Sequence, residues 1–125
     1  MKTPAIAIAE NHSLLRRALL ELVMALGFRV IADAANGKEL IRKLSFISPQ
    51  PDICIVNIKK IATADIETIK ELKATWPHVK ILAFSFSKTD EEVDTILNSG
   101  ADTFLHKGGD GNQLKKVLDE LFASR

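Results

Sequence analysis

The chain has 125 residues, 46% of them hydrophobic and 26% charged, with a formal net charge of +1. That length suits one domain, able to bury a core without help from a disulfide or a metal. The near balance of 17 basic against 16 acidic residues lacks the basic excess of a dedicated nucleic-acid binder.

Along the chain, Ala5 to Ala9 forms a short apolar run, read as a buried strand. Ser13 then precedes Leu15, Ala18, Leu19, Leu22, Val23 and Leu26 at helical spacing, and Gly27 supplies a stop. Phe28 to Ala34 reads as a second strand. Asn36-Gly37 signals a turn, after which Leu40, Ile41 and Leu44 share one helical face. Pro49 and Pro51 break the chain ahead of a third strand, Ile53 to Val56. Asp65 is suited to cap a helix bearing Ile66, Ile69 and Leu72, which Trp76-Pro77 ends. Val79 to Phe84 is a fourth strand. Asp90 is suited to cap a helix with Val93, Ile96 and Leu97, stopped by Gly100. Thr103 to Leu105 is a short fifth strand, and Leu114, Val117, Leu118, Leu121 and Phe122 define the last helix.

Five strands alternating with five helices predict a parallel sheet covered on both faces, with right-handed crossovers. The single cysteine, Cys54, excludes an intramolecular disulfide and lies in an apolar run that predicts a buried, inert thiol. No run approaches the roughly 18 apolar residues of a membrane span. Met1-Lys2-Thr3-Pro4 leads straight into a strand rather than into the apolar core of a signal peptide, so a cytoplasmic protein that leaves membranes alone is expected. The chain stops just after its fifth helix, which leaves no room for an output domain within it.

In an open α/β sheet, ligands bind beyond the carboxyl ends of the strands. Those ends carry Glu10-Asn11-His12, Asn57, Ser85 and His106-Lys107. One acid, two amides, a hydroxyl and a lysine thus converge from distant positions. Singly each has a plainer reading: Lys107 as a surface lysine, Ser85 as a turn residue, Phe104 as core, His12 as part of a turn. Lone histidines such as His12, His78 and His106 make no metal site. Their joint occurrence at four strand ends, in order, is what gives them weight.

Four segments make the chain resemble the receiver domain of two-component response regulators, of the type that precedes a helix-turn-helix output domain. They are Ile6-Ala7-Ile8-Ala9-Glu10-Asn11-His12, Pro51-Asp52-Ile53-Cys54-Ile55-Val56-Asn57, Ile81-Leu82-Ala83-Phe84-Ser85 and Gly100-Ala101-Asp102-Thr103-Phe104-Leu105-His106-Lys107. The resemblance covers the whole length. It implies a flavodoxin-like (βα)5 three-layer sandwich with strand order 2-1-3-4-5, in a bacterial phosphorelay. It also implies that Glu10 stands for the first of two Mg²⁺-binding acids, Ser85 for the phosphate-sensing hydroxyl, Lys107 for the phosphate-pairing lysine and Phe104 for the switching aromatic. Asn11 departs from the second acid and Asn57 from the phosphate-accepting aspartate. Lys60-Ile61 stands where a methionine-proline pair is usual, and Asp65 where a glycine is.

These departures carry a physical consequence. A carboxamide nitrogen has its lone pair in resonance and cannot form an acyl phosphate. Each carboxylate replaced by an amide removes a gross attraction of roughly 8 kcal/mol for a divalent ion about 4 Å away at an effective dielectric near 20. Mg²⁺ binding is therefore expected to be weak or absent, with Glu10 the one acid left to support it, and no cofactor is expected. Lys59, Lys60 or Lys107 is a candidate counter-charge for Glu10 in the metal's place. The leading expectation is an atypical receiver, not an enzyme. It would act through protein contacts with a histidine kinase, a regulatory partner or a second copy across the fourth helix, fifth strand and fifth helix, without touching nucleic acid. One alternative is the receiver of a DNA-binding transcriptional regulator, with Asn57 native or introduced. Another is a small flavodoxin-like ligand-binding protein. For a flavin the first strand-end loop is poor in Ser, Thr and Gly and carries the negative Glu10.

Overall fold

Apolar runs of five or six residues without alternation demand cover on both faces. A computed structural model of the chain, which describes residues 3–58, 63–85, 89–106 and 111–124, provides that cover. The elements in order are β1 (Ala5–Ala9), α1 (Ser13–Ala25), β2 (Arg29–Ala34), α2 (Gly37–Leu44) and β3 (Ile53–Ile58), then α3 (Thr63–Thr75), β4 (Lys80–Ser85), α4 (Asp90–Asn98), β5 (Thr103–His106) and α5 (Gly111–Ala123). The five strands pair in parallel in the order β2-β1-β3-β4-β5, the flavodoxin-like arrangement. Strand order reverses between β1 and β3, which places the topological crevice at their carboxyl ends.

Period-two alternation splits the core. Ala7, Ala9, Cys54, Val56, Ile81 and Ala83 face Leu40 and Leu44 of α2, Ile69 and Leu72 of α3 and Ile96 of α4. Ile6, Ile8, Ile53, Ile55 and Leu82 face Leu19 and Val23 of α1 and Leu114, Leu118 and Leu121 of α5. β1 and β3 are buried throughout, whereas the edge strands β2 and β5 are only partly covered. Each fully buried Leu or Ile contributes about 1.5–3 kcal/mol. Burial pushes the Cys54 thiol up to about 12, so it stays protonated.

Helix starts depart from the sequence expectation. Ser13 is already helical, and His12 is the cap of α1, its Nδ1 accepting from the Leu15 N–H at 3.3 Å. Asn36 is the cap of α2 rather than only a turn residue, its Oδ1 accepting from the Glu39 N–H at 2.8 Å. Thr89, one residue before the expected Asp90, caps α4 in a reciprocal box with Glu92. Asp65 lies within the first turn of α3 rather than ahead of it. The glycine stops hold: Gly27 and Gly100 follow α1 and α4 with φ of +99° and +121°, a region that penalises any Cβ.

At the amino-terminal edge of the sheet two aspartates act as clasps. Buried Asp52 accepts the Ala5 N–H on Oδ2 at 2.8 Å, while its backbone bonds Ala5 and Lys80. Asp102 accepts the Ile81 N–H at 2.8 Å and the Lys73 ammonium at 2.7 Å on Oδ2. Adjacent strands are thereby locked in register where they begin.

Candidate functional site

The opposite edge gathers the residues the sequence singled out. β3 does not stop at Val56. Its ladder with β4 continues through Asn57 opposite Phe84 and Ile58 opposite Ser85. Asn57 is therefore held by backbone pairing and is only 9% exposed. Its Nδ2 donates to Asn11 Oδ1 at 3.3 Å, and its Oδ1 has no hydrogen-bond partner among the described residues. The two amides that replace expected acids are thus joined to each other, linking the ends of β1 and β3.

Glu10 follows β1 and is 3% exposed. Its Oε2 accepts the His12 N–H at 3.1 Å, and its own N–H donates to Ala34 O at 3.0 Å. A carboxylate so buried requires such donors. Arg16 adds a cation that the sequence reading passed over. Its Nη1 donates to the Glu10 carbonyl at 2.9 Å, and its Nε lies 3.3 Å from Asp33 Oδ2. Nothing in the spacing of α1 marks Arg16. Only the crossover of α1 back over β1 and β2 brings it there.

Ser85 ends β4 and is buried, opposite the exposed His106 of β5. Phe104 is half-buried and packs on the core shared by α2, α3 and α4. The structure therefore brings Glu10, Asn11, Asn57 and Ser85 to one end of the sheet and sets Phe104 lower on β5. Lys59, Lys60 and Lys107 lie outside the described residues.

The model for the response regulator receiver domain matches residues 6–119 of this chain. The chain belongs to that family. The receiver is 29% identical over 119 residues to the nitrate/nitrite response regulator protein NarL of Escherichia coli K12, covering 94% of this chain and 54% of NarL. It is 24% identical over 116 residues to the chemotaxis protein CheY of Thermotoga maritima, covering 93% and 95%. It superposes with a TM-score of 0.88 and 22% identity on a two-component response regulator of the LuxR family from Aurantimonas sp. SI85-9A1, covering 99% and 88%. The receiver spans about half the length of the first curated relatives it matches.

The donor set of this receiver does not fit the Mg²⁺ that such a site implies. It offers one carboxylate, already engaged by a peptide N–H, and two neutral amides bonded to each other. Among the described residues no group of three His, Cys, Asp or Glu side chains surrounds a cation position. Mg²⁺ surrenders its water reluctantly, and only for well-placed, charged oxygen ligands.

Proposed function

We propose that this receiver transmits signals through protein–protein contact and does not use an aspartyl phosphate. One observation carries the reading: a carboxamide, Asn57, occupies the end of β3 and is tied to the second carboxamide, Asn11. It offers no attacking oxygen, and the site lacks the charge to hold a divalent ion and a phosphoryl group together. The domain is accordingly not an enzyme. Its site changes state when a partner favours one conformation over another, which requires only differential affinity.

The face of α4, β5 and α5 suits such a partner, whether a histidine kinase, a regulatory protein or a second copy. Leu97 is 38% exposed there, α4 opens with Asp90, Glu91 and Glu92, and α5 carries the exposed Lys115 and Lys116. α4 is strongly acidic while α5 is neutral overall, its Lys115 paired with Asp119 and Lys116 exposed, so Lys116 is the cation this face offers to an acidic partner surface. No helix among the described residues is long and apolar enough to cross a membrane, and we place the domain in the cytoplasm.

A second reading is favoured by the relatives' length: the receiver as the input half of a transcriptional regulator, whose DNA contacts lie in another domain. A downstream coding segment with a basic helical pattern supports it, and a stop codon directly after Arg125 in the genome overturns it.

The main reading is tested by incubating the protein with acetyl phosphate and Mg²⁺ and weighing it intact. The expected spectrum shows the unmodified mass alone. A reversible, Mg²⁺-dependent gain of one phosphoryl group on a pocket side chain overturns the proposal.

A further inference from the structure

Beside the paired amides, α2 and α3 enclose an open cleft of about 1100 Å³ above the ends of β1 and β3. Asn11 and Asn57 lie in its floor together with apolar strand-end residues such as Val56. The helices meet at Gly37, where any Cβ would collide with the Thr68 side chain. Apolar lining with a few convergent polar groups is the usual make-up of a small-molecule site, and this volume slightly exceeds the usual range of about 300–1000 Å³.

The walls are oppositely charged. Lys38 and Arg42 line the cleft from α2 and Glu71 lines it from α3, all three exposed. Among the described residues no ion pair crosses between the walls. Glu39 pairs with Lys43 within α2, and Glu67 with Lys70 within α3. The floor holds the second, independent observation: Asn57 is nine-tenths buried, and its Oδ1 has no donor among the described residues. Unpaired buried oxygens are uncommon and point to a missing partner. Turning this oxygen toward the cleft rotates the whole side-chain amide about its soft terminal torsion and gives up the Nδ2 bond to Asn11.

We propose that the α2–α3 cleft binds a zwitterionic ligand of the amino-acid or short-peptide class. Its carboxylate lies against Lys38 and Arg42, and its ammonium is directed to Glu71 and the Asn57 carbonyl. The cleft's size favours a short peptide over a single amino acid. The inference goes beyond the proposed function, because it names an input, and its test reads binding, which an inert phosphate acceptor neither requires nor prevents.

The test is an NMR titration of the ¹⁵N-labelled protein at low ionic strength with free amino acids, with di- and tripeptides, and with their N-acetylated and C-amidated forms. The expected result is saturable shifting of the Asn11 and Asn57 side-chain amides and of the Gly37 and Thr68 backbone signals. Each blocked form should bind more weakly by about threefold or more, as should Arg42→Glu and Glu71→Arg proteins whose circular dichroism is unchanged. Absence of saturable shifts at millimolar ligand, equal affinity for blocked and free forms, or shifts mapping away from the cleft overturns the proposal.

Discussion

The two ends of the sheet treat acidic side chains in opposite ways. At the amino-terminal edge Asp52 and Asp102 remain carboxylates, and each is satisfied by a backbone N–H of a neighbouring strand. At the carboxyl-terminal edge, where the family resemblance leads one to expect three acids, there is one acid and a pair of mutually bonded amides. Charge is kept where it holds the frame and replaced where it would hold a metal. The frame and the chemistry are therefore separable in this fold, and each can be perturbed without the other.

The contrast is broken most strongly at Asp52. Asp52→Ala leaves the Ala5 N–H buried without an acceptor, and urea unfolding should show a loss of about 3 kcal/mol, the upper end for a hydrogen bond to a charged group. A smaller effect is expected from rebuilding acids at the other edge. Asn11→Asp with Asn57→Asp should destabilise the metal-free protein by about 2 kcal/mol, roughly half the gross repulsion of two charges 4 Å apart at an effective dielectric near 20. Added Mg²⁺ should restore that stability in the double variant and leave the parent's melting temperature unmoved. Equal Mg²⁺ responses in both proteins would erase the contrast. The smallest loss is expected for Asp102→Asn, about 1 kcal/mol in the same denaturation, because solvent reaches its pair with Lys73.

Much of this was legible in the residues. Parallel strands buried on both faces must be continuous apolar runs, and Ile53-Cys54-Ile55-Val56 could hardly be anything else. The strand ends identified Glu10, Asn11, Asn57 and Ser85 because topology alone sends those positions to one edge. The exact limits of strands and helices were less visible. β3 continues through Asn57 because its neighbour β4 still offers hydrogen bonds, a fact of pairing rather than of composition. Asp90 looked like a cap because its side chain is suited to it, yet Thr89 does the capping one residue earlier, and His12, read as part of a turn, caps α1. The clasps had a signal that went unread, an aspartate immediately before an apolar strand in Pro51-Asp52-Ile53 and Ala101-Asp102-Thr103. The α2–α3 cleft had none beyond Gly37, since helix separation depends on packing that no local pattern encodes.

The bond between Asn11 and Asn57 joins two groups that neither gain nor lose a proton across the range in which proteins live. The tie between β1 and β3 at that rim is thus indifferent to acidity, and a dipolar contact is far less sensitive to salt than an ion pair would be. A competitor for the same hydrogen bond loosens it, so this one contact answers to molecular shape more than to acidity or salt.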